Sequence, residues 1–149
     1  MRRIGEYPLW IGNARDARDI RAVLNAGIEA IVDLAMDEPP VQPTREVVYL
    51  RVPLVDGGGN PPWMLALAVS TLEPFVRLGV PTLIACGGGM SRSVAIAAST
   101  IWFVNPRCSV DEALAEVRAS GPTDVHPELW RDIKQNVFTV TEAFYRPRE

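Results

Sequence analysis

Apolar and polar positions along this chain follow two periods. Tyr7 to Asn13 reads as a short strand that ends in a turn at Gly12-Asn13. Ala14 to Asn25 has the helical period, with Ala17, Ile20 and Leu24 on one face and Gly27 as its stop. Ile28 to Ala35 is nearly continuous apolar sequence, as expected of a strand covered on both faces. Glu46 to Leu54, rich in Val, Tyr and Leu, predicts another strand. A run of breakers follows, Asp56-Gly57-Gly58-Gly59-Asn60-Pro61-Pro62. Helical spacing then returns at Leu65, Ala68, Val69, Leu72 and Val76, where Pro74 predicts a kink or an interruption. Pro81 to Cys86 predicts a third buried strand. Ser91 to Val104 is apolar on most sides and predicts a buried central helix. Val110, Ala113, Leu114 and Val117 outline an amphipathic helix, with Ser109 as N-cap and Gly121 beyond its end. Leu129, Ile133, Val137, Val140 and Phe144 outline a final helix after Pro127.

Strands alternating with helices predict an α/β fold. Its core is a central, mostly parallel sheet of about four to five strands with helices on both faces. No repeat, linker or low-complexity tract divides the chain, so residues 1–149 are expected to form one domain. With 149 residues, 48% hydrophobic and 22% charged, the composition suits one globular domain with a sizeable core. Ligands in such sheets bind at the carboxyl ends of strands, and Cys86 lies at one.

Charge and cysteine content narrow the function. The net charge of −3 argues against a general binder of nucleic acid or acidic membranes. The longest apolar run, Val94 to Val104, is too short to span a bilayer. Two cysteines do not make a disulfide framework in a domain this size. The first residues lack the apolar stretch of a signal peptide. A cytoplasmic, reducing setting and a monomer are the expectations.

The candidate chemistry sits in Cys86-Gly87-Gly88-Gly89-Met90-Ser91-Arg92-Ser93. The glycines let successive backbone N–H groups turn inward on an anion, with Met90 and Ser91 completing the loop. A helix starting near Ser91 adds N-terminal donors and the positive end of its dipole. Arg92 can fork two N–H groups onto two phosphate oxygens. The same field favours a thiolate at Cys86, and Ser93 can donate to the sulfur as it leaves. A buried, inert cysteine before a flexible turn is the bland alternative, and the glycines, Arg92 and the helix start together outweigh it. Asp56, at the end of an apolar strand and the start of a glycine-rich loop able to close over the pocket, is the best candidate for general acid and then base. Asp33 and Asp124 are its rivals, with Asp33 more suited to a structural role. His126 reads as a surface residue, Cys108 as no partner for Cys86, and Trp63 as a candidate for the pocket wall. No metal and no cofactor is expected.

The loop resembles the signature His-Cys-x-x-Gly-x-x-Arg-Ser/Thr of dual-specificity phosphatases, within the cysteine-dependent protein tyrosine phosphatase superfamily. The flanking segments Leu9-Trp10-Ile11-Gly12-Asn13-Ala14, Gly27-Ile28 through Leu34, Ser109 to Leu114 and Pro127 are similar to the family as well, and Asp56 falls where its general acid lies. The resemblance implies hydrolysis of phosphotyrosine, with phosphoserine and phosphothreonine as further substrates, through a cysteinyl-phosphate. Its partners would be phosphorylated proteins or small phosphomonoesters. One position departs from the signature: Ala85 stands where the family carries histidine, which predicts a thiol that ionises less readily than in relatives. A catalytically weak, phosphate-binding pseudophosphatase is the alternative. Low-molecular-weight phosphatases and arsenate reductases carry a similar loop near the N-terminus with the acid downstream, the reverse of the order here. Sulfur-transfer domains usually lack the Cys-to-Arg-Ser spacing. The absence of basic residues at 87, 88 and 90 argues against polyphosphorylated inositol lipids.

Overall fold

The computed structural model describes the backbone of residues 1–145 and side chains through residue 137. Five strands form one sheet in the order β1-β2-β5-β3-β4. They are β1 (Arg2–Arg3), β2 (Leu9–Asn13), β3 (Ala30–Ala35), β4 (Val48–Leu54) and β5 (Thr82–Cys86). β2, β5, β3 and β4 run parallel, and β1 adds antiparallel to β2. The helices are α1 (Ala14–Arg18), α2 (Ile20–Asn25), α3 (Pro62–Leu78), α4 (Arg92–Val104), α5 (Val110–Arg118) and α6 (Pro127–Tyr145). This is the expected α/β layering.

Strand periodicity sorts the core into two clusters. Leu9, Ile11, Val32, Leu34, Val52, Leu54, Ile84 and Cys86 point to the large face, covered by α3, α4, α5 and α6. Ile31, Leu83 and Ala85 point to the small face, where Ala17 and Val23 of α1 and α2 cover them. Both faces of β3 and β5 are thereby buried, which is why their sequences lack alternation. α4 is apolar all round because it lies inside the helical layer. Its buried Ser99 and Thr100 hydroxyls donate to the carbonyls of Ala95 and Ile96, one turn back.

Three expectations need correction, and one strand was missed. Ala14 to Asn25 is two helices, not one. The Asp19 side chain accepts from Ala22 N–H at 3.0 Å and caps a new helix, competing with the backbone of the first. The break rotates the apolar face, so Val23 is buried and Leu24 is exposed. α3 runs through Pro74 without interruption; Pro74 lies on the exposed side of the helix, away from the core packing. β1 was not legible, because Arg2-Arg3 carries no apolar pattern; it pairs through its backbone with Ile11 and Trp10, and the Arg3 guanidinium lies over the Trp10 ring at 5.2 Å. Strands also begin later than their apolar runs, at Leu9, Ala30, Val48 and Thr82. Ser109 caps α5 in a reciprocal box with Glu112, and Gly27 takes the positive φ of 76° that ends α2. Val140 and Phe144 lie outside the described side chains.

Candidate active site

β5 ends at Cys86 and α4 begins at Arg92, so residues 87–91 must reverse the chain at the carboxyl edge of the sheet. The three glycines do this in different ways. Gly89 takes φ +70°, and a Cβ there would lie 2.9 Å from the carbonyl carbon and oxygen of Gly12. Only glycine satisfies both conditions. Gly88 meets nothing within 4 Å, while a Cβ on Gly87 would lie 3.0 Å from Nη2 of Arg92. The loop is braced from behind: Ala14 N–H donates to Gly87 O at 3.3 Å, and Nη2 of Arg2 donates to Gly89 O at 3.3 Å and Pro122 O at 2.8 Å.

The Cys86 sulfur is buried on the large face. Gly89 N–H donates to it at 3.3 Å, and Ser93 Oγ lies 3.2 Å away. Ser93 therefore stands where the sequence placed it. Arg92 is only 5% exposed. Its Nη1 donates to Asp37 Oδ1 at 2.7 Å and to Leu54 O at 2.9 Å. Its Nε is buried with no hydrogen-bond partner among the described residues, and Nη2 lies beside Gly87. A buried donor left without a partner costs about 1–3 kcal/mol, and Arg51 Nε is in the same state. Burial opposes the charge on Arg92, but Asp37, Cys86 and Asp56 outweigh it and raise the guanidinium pKa. Arg92 in turn holds the Asp37 carboxyl below the usual carboxylate range.

Ser91 is the N-cap of α4, yet its side chain makes no cap bond. Its Oγ accepts from His126 N–H at 3.0 Å and so donates its one proton to Asp56 Oδ1 at 2.5 Å. Two consequences follow. Asp56 is tethered at the pocket rim, and the first N–H groups of α4 stay uncapped, as an oxyanion site requires.

Cys86, Arg92, Asp56, Gly88, Met90, Ser91 and Asp124 line one pocket of about 140 Å³. Of the predicted residues, Ser93 lies beneath it, Gly87 faces the Arg92–Asp37 pair, and Gly89 packs behind the loop. The Asp56 loop reads in sequence as able to close over the pocket. In it Asn60 Oδ1 accepts from Val55 N–H at 2.8 Å and Asn60 Nδ2 donates to Val55 O at 2.9 Å, and Gly59 N–H donates to Asp132 of α6 at 3.0 Å. Asp33 is structural, accepting from Tyr49 Oη at 2.6 Å and Ala35 N–H at 2.9 Å. Asp124 does reach the pocket. His126 serves through its backbone, and its ring accepts from Glu128 N–H at 3.3 Å at the start of α6. Trp63 is 56% exposed and stands apart from this pocket. Both cysteines are free thiols. Ala85 is packed in the small-face core and offers the loop no polar group. Among the described residues, no group of three or more His, Cys, Asp or Glu is arranged to hold a metal ion. None of their helices is long and apolar enough to cross a membrane.

Sequence reasoning missed Asp37 and Arg2. Asp37 reaches Arg92 from a loop 55 positions earlier. Arg51 clamps that loop, donating to Ala35 O and Glu38 O at 2.9 Å each. No local pattern marks either contact.

A parallel sheet with a cysteine at a strand end, a glycine-turned anion loop and a helix opening on arginine defines a cysteine-loop domain of the phosphatase class. The solved structures agree. A mouse putative dual specificity phosphatase complexed with zinc tungstate superposes with a TM-score of 0.80 at 27% identity, over 99% of this chain and 92% of that one. Human DUSP28 gives 0.79 at 24% identity, over 97% and 98%. In sequence, mouse dual specificity phosphatase 28 is 32% identical over 146 residues, covering 95% of this chain and 86% of that protein. No protein-family model matches the sequence. The chain belongs to the dual-specificity phosphatase family of the cysteine-dependent protein tyrosine phosphatase superfamily.

Proposed function

We propose that this chain hydrolyses phosphotyrosine proteins, with phosphoserine and phosphothreonine as further substrates, through a cysteinyl-phosphate. The observation that carries the reading is Arg92. A buried guanidinium, paired with Asp37, lies in one loop with a cysteine sulfur and a helix N-terminus whose Ser91 makes no side-chain cap bond. In the first step Cys86 Sγ attacks phosphorus in line. The S–P bond forms as the P–O bond to the leaving group breaks. Nε and Nη2 of Arg92 and the loop amides take the equatorial oxygens, and Asp56 gives its proton to the leaving oxygen. In the second step Asp56 takes a proton from water, which attacks phosphorus and breaks the S–P bond. Ser93 Oγ, 3.2 Å from the sulfur, donates to it as it leaves. The mouse relative solved with tungstate, a tetrahedral oxyanion like phosphate, supports an oxyanion as ligand. A monomer is the proposed active unit. A phosphorylated protein or a small phosphomonoester is the partner.

A panel of aryl phosphates and phosphopeptides tests the reading with wild type, Cys86→Ser and Asp56→Asn. Turnover lost in Cys86→Ser, and reduced in Asp56→Asn most for alkyl leaving groups, is the expected result. No turnover by wild type between about pH 5 and 8, a range bracketing ordinary carboxyl and thiol groups, overturns it. The apolar packing of Ala85 favours a second reading, a pseudophosphatase that holds phosphorylated partners without turnover. Binding of a phosphopeptide without hydrolysis is its signature.

A further inference from the structure

The pocket over Cys86 has a neighbour. A cavity of about 360 Å³ is lined by Met36, Asp37, Leu54, Val55, Asp56 and Arg92. It shares Asp56 and Arg92 with the phosphate pocket, so a group bound in one lies at the mouth of the other. Its walls are of two kinds. Met36, Leu54 and Val55 are apolar, and Met36 and Val55 are open to solvent. Asp37 and Asp56 are carboxylic, and the Asp37 side chain is 65% exposed. Of the lining residues Arg92 is the one cation, and it is turned inward, with Nη1 on Asp37 and Nε buried.

We propose that this cavity is a substrate subsite for a basic side chain, lysine or arginine, flanking the phosphorylated residue. The inference rests on the phosphatase reading and specifies its substrates. A lysine or arginine lays its methylene stem along apolar surface and keeps its charged head at a polar rim. Met36, Leu54 and Val55 suit the stem, and Asp37 suits the head. Asp37 keeps its negative charge whichever proton state Asp56 takes during turnover, because Arg92 holds it ionised. An aliphatic side chain would fill the space but bring no positive charge to the two carboxylates, which Arg92 and Ser91 already hold from the protein side. An acidic one would face like charge across a few ångströms. Pockets for small ligands run from about 300 to 1,000 Å³, so this one takes one side chain rather than a folded segment. Neighbouring Cα atoms of a peptide lie about 3.8 Å apart, which brings residues within two positions of the phosphorylated one into reach. The surroundings point the same way. Asp124 adds a carboxyl group on the wall of the phosphate pocket, positions 87, 88 and 90 carry no cation, and the chain is net −3.

The test uses phosphotyrosine peptides that differ at one residue, Lys, norleucine or Glu, set in turn at each of the two positions on either side of the phosphotyrosine. Each is measured as kcat/KM with wild type and as Kd with Cys86→Ser by fluorescence anisotropy. At one position or more, Lys is expected to bind about fivefold tighter than Glu, with norleucine between, as for a partly exposed ion pair. The order recurs in kcat/KM and shrinks at about 0.5 M salt. Met36→Lys puts a cation on the cavity wall and reverses the order. Leu78→Lys, at the opposite end of α3 and 78% exposed, leaves it intact. Equal Kd at every position, no measurable binding of any peptide, or an order that Met36→Lys does not disturb overturns the subsite. If the order holds in Cys86→Ser while wild type hydrolyses no peptide, the subsite stands and the phosphatase reading falls. If wild type hydrolyses all three alike, the phosphatase reading stands and the subsite falls.

Discussion

Gly87, Gly88 and Gly89 look equivalent in sequence, and the structure ranks them. Alanine at each position is the perturbation. Gly89→Ala must hold φ +70°, which costs a non-glycine residue about 1–2 kcal/mol. Its methyl would lie 2.9 Å from the backbone of Gly12, which has no flexible end to move aside. Overpacking of that kind adds about 1–3 kcal/mol, so the total is about 2–5 kcal/mol. Any shift that relieves the clash also carries Gly89 N–H away from the Cys86 sulfur, now 3.3 Å off. Gly88→Ala enters open space at a backbone angle that needs no glycine. Its stability should stay within about 0.5 kcal/mol of wild type, or rise, because alanine narrows the unfolded ensemble. Gly87→Ala meets Nη2 of Arg92, the movable tip of a side chain. Its stability cost should be about 1 kcal/mol or less, and its mark should be weaker binding of inorganic phosphate. Urea unfolding by linear extrapolation, with titration calorimetry of phosphate, reads both quantities. At an m-value of about 2 kcal/mol/M, Gly89→Ala should lower the midpoint by roughly 1–2.5 M. Equal destabilisation by Gly88→Ala and Gly89→Ala would refute the reasoning.

Three further outcomes follow from contacts elsewhere in the site. Ser91→Ala removes the acceptor of His126 N–H and the donor to Asp56; it should cost about 1–3 kcal/mol of stability, seen as a thermal midpoint lower by several degrees, and should lower kcat more than it raises KM. Asp37 has its carboxyl held below the ordinary range by Arg92, so its contribution to stability is complete above the unfolded value of about 3.9 and is lost as pH falls through the lower folded value. Urea unfolding between about pH 2 and 5 should therefore show a shallower acid decline in Asp37→Asn than in wild type, and the exposed side chain keeps the difference small. Ala85→His would push an imidazole into the small-face core among Ala17, Val23, Ile31 and Leu83; unfolding should show a loss of about 1–3 kcal/mol rather than a gain, and a more stable variant would show that the site can admit the ring.

The residues whose roles were legible are those whose partners are near in sequence. The Cys86–Ser93 contact spans seven positions and lies within the loop and the first turn of one helix. The Ser109–Glu112 box and the Gly27 stop are likewise local. The Ala14–Asn25 reading failed because Asp19 fits a helix interior and an N-cap equally well until the packing of Val23 against the sheet decides between them. Asp56 was found from its place at a strand end, but its tether to Ser91, 35 positions on, was not.

What the sequence determined alone was the order of the four parallel strands and of helices α3 to α6, the two-sided burial of β3 and β5, and the loop that joins a cysteine to an arginine through glycine. Those features are written in periods of two and 3.6 and in residues with special backbone freedom, so they can be read within a window of a dozen positions. Only the tertiary structure decided which carboxylate holds Arg92, which glycine the loop cannot lose, and that Ser91 serves Asp56 rather than its own helix. Those choices depend on which distant turns the parallel sheet brings to one edge. The registers that align Gly12 and Asp33 with Ala85 set them, and no local pattern carries a register between strands so far apart in the chain.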